Sequence, residues 1–400
     1  MHVTAYGRSA MSLRRFLRAY YVYAFLVDFI FGDAIYTAYF TLSGLDIWDI
    51  ALLFIIWATV AAVFEIPSGA LSDHFDRRWL LVAAPLIKAV TFVIWAIGGG
   101  DFWLIALGFL IWSFSGSLIS GSKEALLFEH MEAAGAADDY DRVLGRDRAL
   151  QEIGAGTAMI FGGLVGHYSM IASLWLAVPP LIGAAIAAFW LTDIRLRPES
   201  GGDRPGYFSH FGEAAREFGA RADLRFLTVY LVFGVMLFYV LEEFDPLYYL
   251  AVGVPIWAFG LVGALAIAAY AGASVMAHRL DSYPVVGWLF PLLSGLCLVL
   301  AGIGHSIWLL VPLMASRILS APPLILAEAK FQRVMSGASR ATTTSAMVFF
   351  HCVASIFMCI AFGLAADAFG VLAAYGWCGV YLIAVALWAA WRHARGQSAI

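Results

Sequence analysis

Ionisable residues inside long apolar stretches are the positions in this 400-residue chain that could do chemistry. Asp28 and Asp33 lie in the first such stretch, Glu242, Glu243 and Asp245 in a later one, and Lys88, Lys123, Glu124 and Arg317 interrupt others. A charge at a helix centre in lipid costs about 2.5–3.5 kcal/mol on the insertion scale, so each asks for a cavity or a partner. On a helix, Glu242 and Asp245 share a face, whereas Asp28 and Asp33 stand roughly 140° apart. Carboxylates crowded in a dry cavity hold protons more tightly, which lets one bind and release a proton near neutral pH. Such a group can couple substrate movement to a proton gradient. We expect Asp33 and Glu242 to be the principal cavity carboxylates, with Asp28 next and Asp245 and Glu124 as further candidates. The bland alternative is that these groups pair with polar neighbours and only orient packing. Arg317 would answer the Glu242 and Asp245 carboxylates or an anionic group on a substrate. His351 reads as a hydrogen-bonded interior histidine.

A second constellation is the charged run from Glu65 to Arg78, EIPSGALSDHFDRR. Gly69 permits close backbone approach, Pro67 loosens a helix end, and Asp73 precedes Arg77 and Arg78. Ion pairs at such a joint can hold one conformation and break in another. With Glu129, Arg142 and Arg146 near the same end, the expected role is an inner gate built from Glu65, Gly69, Asp73, Arg77, Arg78 and Glu129. The plain alternative is a basic stop at the inner membrane face.

These charges need apolar elements to hold them. A composition of 62% hydrophobic and 13% charged residues, with mean hydropathy +0.84, is far from the roughly 25% charged of soluble domains. A span needs about 20 apolar residues. Twelve stretches qualify: approximately 17–42, 49–71, 79–99, 102–128, 142–166, 170–192, 226–250, 254–277, 284–304, 306–331, 340–366 and 370–391. The reading is an all-α polytopic membrane protein with 12 transmembrane helices, embedded in the lipid bilayer. Lys and Arg cluster on one side only, at 8–18, 77–78, 142–148, 195–225, 279, 330–340 and 392–395, while the opposite loops carry none. The positive-inside rule therefore puts both termini in the cytoplasm, in a cell (cytoplasmic) membrane. The first stretch is too long for a signal-peptide core and lacks a cleavage site. Cys297, Cys352, Cys359 and Cys378 fall inside spans with no disulfide or metal spacing and read as packing residues.

The only long connector, about 193–225, begins with loop residues and then places Phe208, Phe211, Ala215 and Phe218 at helical spacing. It reads as an amphipathic helix on the inner surface, dividing an N-terminal six-helix bundle (1–192) from a C-terminal one (226–400). The halves also match each other. Gly44-Leu45-Asp46-Ile47-Trp48 and Gly253-Val254-Pro255-Ile256-Trp257 agree at Gly, Ile and Trp, and the offset of 209 sets Asp33 opposite Glu242 and Tyr39 opposite Tyr248. Internal repeats with a site at their interface are a recurrent transporter plan. Tyr36, Tyr39, Phe40, Phe238, Tyr239, Tyr248 and Tyr249 surround the acids and would suit amphipathic or cationic organic compounds. No phosphate-binding G-x-x-x-x-G-K-S/T loop occurs, and nothing suggests a hydrolase triad, a metal cluster, a cofactor site or a nucleic-acid surface. The chain reads as a transporter, not an enzyme.

The twelve spans, the central linker and Gly69, Leu71, Ser72, Asp73, Arg77 and Arg78 together resemble the major facilitator superfamily, with Asp76 where its motif usually has a second Gly. The resemblance implies two six-helix domains rocking around a central cavity. It also implies that the Asp73 position closes the inner side against the start of helix eleven, near Ser339 and Arg340. The matching stretch after helix eight, Gly272 to Arg279, lacks an acid at the Asp73 position. Proton-linked exporters are the most similar branch, though Trp112 stands where their helix-four Arg would precede Gly116. Their helix-five glycine motif survives as Gly154, Gly162 and Gly163, with Ala158-Met159 in place of its central Gly-Pro. The expectation is a monomeric, proton-coupled exporter of a small amphipathic organic compound. Uptake by proton symport is the alternative, and a non-transporting membrane sensor or assembly protein a more distant one.

Overall fold

The computed structural model describes residues 13–120, 122–194, 222–334 and 340–395, with backbone alone at 65–70, 73, 74, 223, 235, 332–334 and 340–349. Among them there is no strand. The helices are α1 (Leu13–Val27), α2 (Tyr36–Leu42), α3 (Ile47–His74), α4 (Arg77–Gly98), α5 (Phe102–Ile119), α6 (Ser122–Ala133), α7 (Tyr140–Tyr168), α8 (Met170–Leu176) and α9 (Val178–Phe189). After the linker come α10 (Ala222–Tyr230), α11 (Leu237–Ala251), α12 (Ile256–Met276), α13 (Val286–Ala301), α14 (Leu310–Val334), α15 (Arg340–Phe369) and α16 (Val371–Ala394). The expected amphipathic helix at 208–218 lies outside the described residues.

Nine helical segments are long and apolar enough to cross a membrane among the described residues. The other three expected spans depart from that standard for identifiable reasons. The first is broken, the fifth (α7) carries Arg142, Arg146, Asp147, Arg148 and Glu152 along its N-terminal half, and the ninth (α13) has 16 residues.

The break corrects the expectation of a continuous first span. Helical hydrogen bonding stops at Val27 and resumes at Tyr36, and residues 28–35 close short turns instead, such as Asp33 N to Ile30 O at 3.3 Å. The 140° separation of Asp28 and Asp33 therefore does not apply. The surviving glycines of α7 explain how the irregular strip is accommodated. A Cβ at Gly154 would meet the Phe25 carbonyl, one at Gly162 the Phe31 carbonyl, and one at Gly166 the Ile35 side chain. A smooth glycine face lets the unwound backbone lie directly on α7.

The repeat seen in sequence has a structural counterpart. Gly44 and Gly253 both take positive φ (111° and 81°), and the helices that follow start at Ile47 and Ile256. Leu45 N bonds to Phe40 O at 3.1 Å, and Val254 N to Tyr249 O at 2.9 Å, the same bond moved by 209 residues. Glycine relieves the Cβ penalty of the left-handed turn in both.

The chain divides into two compact units, 1–36 with 63–202 and 37–62 with 203–400. The core of the first gathers Phe16, Tyr20, Tyr23, Leu81, Leu126 and Leu191. In the second, α13 and α16 cross with Gly295 against Gly379 and Gly302 against Gly376. The segment 37–62 belongs to this second unit. A Cβ on Gly363 would meet Ala51 Cβ at 2.7 Å and Trp48 at 2.9 Å, and the rings of Phe54 and Phe244 lie 5.1 Å apart.

Candidate functional site

In the first unit, a chain of polar side chains runs through the core. Lys88 on α4 places Nζ 2.8 Å from Asp28 Oδ1 and donates also to Val27 O at 3.4 Å, a carbonyl at the edge of the helix break. Gln151 on α7 donates to Asp28 Oδ2 at 2.9 Å. Its Oε1 accepts from Lys123 Nζ at 2.9 Å, and the same ammonium meets Asp147 Oδ2 at 2.8 Å. Because an ammonium only donates, it dictates the amide's orientation, and the Gln151 NH2 must then face Asp28. The sequence Lys88–Asp28–Gln151–Lys123–Asp147 thus alternates donor and acceptor across the break after α1 and helices α4, α6 and α7, with two cations and two carboxylates. Lys88 also sits 5.5 Å over the Trp112 ring and Lys123 5.5 Å over Tyr20. Asp28 is the open end: its side chain is 36% exposed, against 8% for Lys88 and 3% for Asp147.

Sequence reasoning named Asp28 but assigned no role to Lys88, Gln151 or Asp147. A signal existed. Lys88 is a lone cation in an apolar span, and Asp147 and Gln151 are four residues apart, on one helix face.

The other candidates are placed differently. Asp33 lies partly buried in the same break as Asp28. Glu124 is exposed and 3.6 Å from Arg148, itself exposed, a surface pair that contributes little. Glu242 is exposed on α11. Asp245, one turn further on, is buried, with Oδ2 2.6 Å from Arg317 Nη2 and Oδ1 accepting from Tyr375 OH at 2.7 Å. Arg317 donates also to Phe238 O at 3.0 Å. This cluster ties α11, α14 and α16 together, so Arg317 does answer Asp245. Most aromatics around the acids are packing groups: Tyr36, Phe40 and Tyr248 are buried, and Tyr248 OH donates to Ala301 O at 2.9 Å. Tyr239 is 46% exposed and stands edge-on to His351.

In the first unit, α3 stops at His74 and α4 starts at Arg77. The unexpected Asp76 caps α4, its carboxylate accepting from Arg78 N at 2.9 Å. Asp193 accepts from Arg77 N at 3.0 Å. Two carboxylates thus meet orphan N–H groups at a helix start, where the dipole also favours them. Arg77 is buried, pairs with Glu129 Oε1 at 2.7 Å and donates to Ser72 Oγ at 3.2 Å, fastening the connector to α6. Arg78 stacks on Phe189 at 4.6 Å. Of Glu65, Gly69, Asp73 and Arg340 only the backbone is described, and Ser339, expected opposite with Arg340, lies outside the described residues. Among the described residues no group of three His, Cys, Asp or Glu is arranged to hold a metal, and the four cysteines are unpaired.

No curated protein matches the sequence significantly. Among solved structures, a mutant of the nucleoside transporter NupG superposes with TM-score 0.76 at 14% identity, covering 93% of this chain and 98% of that one. A bacterial homologue of the human lysosomal transporter Spinster, in an inward-facing and unoccupied conformation, gives 0.73 at 16% identity, covering 94% and 96%. At such identities the likeness establishes the fold. A family profile, Major Facilitator Superfamily, matches residues 19–358. The chain is a multi-pass membrane transporter that belongs to the major facilitator superfamily.

Proposed function

We propose that the protein is a proton-coupled secondary transporter that exports a small amphipathic organic compound, with Asp28 as the coupling carboxylate. The observation that carries this reading is the place of Asp28: in the break of the first span, open on one side and held on the other by Lys88 and Gln151. Broken helices near the middle of a membrane commonly carry substrate and ion sites, because backbone groups freed there must be satisfied by something other than the helix. Protonation of Asp28 removes the anion that holds Lys88, so a proton and a conformational contact exchange at one atom. Asp33, in the same break, is a second carboxylate for a cationic group on substrate, and Glu242, exposed on α11 of the second unit, is a separate candidate for proton or substrate contact. Asp245 serves to position, since Arg317 and Tyr375 already occupy it. The one-sided Lys and Arg distribution supports a cytoplasmic-membrane location with both termini inside. Nothing in the reading requires more than a monomer.

Proton-coupled uptake is the second reading, favoured by the helix-five motif without its Gly-Pro. One experiment separates the two. Energised inverted vesicles containing a pH-sensitive dye are offered a panel that includes amphipathic amines and nucleosides. Antiport alkalinises the lumen when substrate is added, and symport acidifies it. Asp28→Asn should abolish the proton signal while leaving folded protein in the membrane. Undiminished proton movement in that variant would refute the assignment.

A further inference from the structure

We propose that Asp147, beneath Lys123 at the inner end of α7, is a second proton-carrying carboxylate whose charge sets when Asp28 can load. This rests on the coupling role given to Asp28 above.

Three observations support it. Asp147 is buried, yet its Oδ1 has no hydrogen-bond partner among the described residues. A buried carboxylate oxygen left unsatisfied is costly, and a proton on it supplies a donor that nearby acceptors can use. The Tyr23 hydroxyl, within electrostatic reach of both Asp28 and Asp147, is likewise buried without a partner among the described residues. Finally, the two carboxylates belong to one hydrogen-bonded line. Lys123 orients the Gln151 amide, and that amide holds Asp28 Oδ2.

The charges make the line a single titrating unit. Lys88 and Lys123 balance Asp28 and Asp147, so the first proton leaves a net charge of about +1 and a second would leave about +2 in a poorly solvated place. The unit carries one proton, and the carboxylate that takes it prevents the other from doing so. A proton on Asp147 frees Lys123 from its anion and leaves it facing Gln151, which strengthens the hold on charged Asp28. When that proton leaves, Asp28 can load. Other groups facing Asp147 are Glu124 on α6, Arg148 on α7, Tyr20 on α1 and Tyr140 at the start of α7. Glu124 and Arg148 are exposed, whereas Asp147 itself is buried.

The test uses the full chain in proteoliposomes, with a substrate drawn from the panel and transport measured against pH. Asp147→Asn leaves an uncompensated cation near Asp28, which opposes loading. The pH of half-maximal transport should move toward acid by about one unit or more. The double variant Lys123→Met/Asp147→Asn removes one charge of each sign and should return the midpoint close to that of the unaltered protein. Gln151→Leu alters no charge but removes a donor to charged Asp28, so the midpoint should move toward alkaline pH. An unmoved midpoint in Asp147→Asn, or a double variant that retains the shift, overturns the proposal. If Asp147→Asn does not assemble, an unmoved Gln151→Leu midpoint overturns it instead. Proton movement surviving in Asp28→Asn would sink the underlying reading. Its loss there, together with an unmoved Asp147→Asn midpoint, refutes the role of Asp147 alone.

Discussion

Removing either partner of the Asp245–Arg317 pair should destabilise the second unit, but unequally and with different pH dependence. The two groups are 2.6 Å apart, and each side chain is 6% exposed. Breaking such a pair from one side costs about 3–5 kcal/mol, because the remaining charge is buried without compensation. Asp245→Asn leaves a guanidinium that cannot lose its proton, so the full cost of about 3–5 kcal/mol should appear at every pH. Arg317→Met leaves a carboxyl that can be neutralised by a proton. From an ordinary carboxyl value near 3.9, that escape costs at most about 4 kcal/mol at pH 7 and falls by about 1.4 kcal/mol per unit as pH is lowered. The neutral form is the one held in the folded variant, so the stability is present at low pH and lost as pH rises. Between pH 7 and pH 5, Arg317→Met should therefore recover about 3 kcal/mol relative to Asp245→Asn. The double variant Asp245→Leu/Arg317→Met should stand within about 1.5 kcal/mol of the unaltered protein, since an apolar pair of similar volume avoids desolvation altogether. Equilibrium unfolding in mixed detergent micelles from pH 5 to pH 8 measures all three. Equal losses with no pH dependence in Arg317→Met would refute the idea that an uncompensated charge is what costs.

Three further outcomes follow from local geometry. Asp76→Ala should cost about 1 kcal/mol of stability through the lost cap of α4, whereas Asp76→Gly should cost only a few tenths, measured by the same unfolding assay. Gly162→Ala should destabilise by about 1–3 kcal/mol because its Cβ meets the Phe31 backbone, while Gly116→Ala, with open space around it, should be neutral or slightly stabilising. Gly363→Leu should drive α15 off Trp48 and Ala51 and lower transport with the protein still in the membrane; full transport at normal expression would contradict the close packing of segment 37–62 on the second unit.

Part of this architecture is legible in the order of residues. The apolar stretches, their one-sided flanking charges and the repeated Gly-x-x-Ile-Trp turns follow from residue types at known spacing. Lipid demands continuous apolar helices, and a left-handed turn demands glycine wherever it recurs. Arg317 as the answer to a span-seven carboxylate is legible for a related reason: a buried cation needs an anion, and few are available. Other features are hidden. The helix-one break shows no proline, and Gly32 near two aspartates is a weak marker by itself. What permits the break is the glycine face of α7, more than a hundred residues away in sequence, and no local pattern reports that contact. The same holds for Asp76. As a departure from a family motif it reads as a flaw in the turn, but in place its carboxylate accepts from Arg78 N, a bond that the motif's glycine cannot make.

Residue order alone settles the class of the molecule, a helical membrane protein, because that property depends on hydropathy and composition along the chain. Which charges meet is settled in three dimensions. Lys88 with Asp28, Lys123 with Asp147 and Gln151 between them come from three helices and the break after α1. A buried charge dictates only that it must have a partner. Helix packing chooses which one, and here it left Asp28 rather than Asp33 at the open end of a paired network.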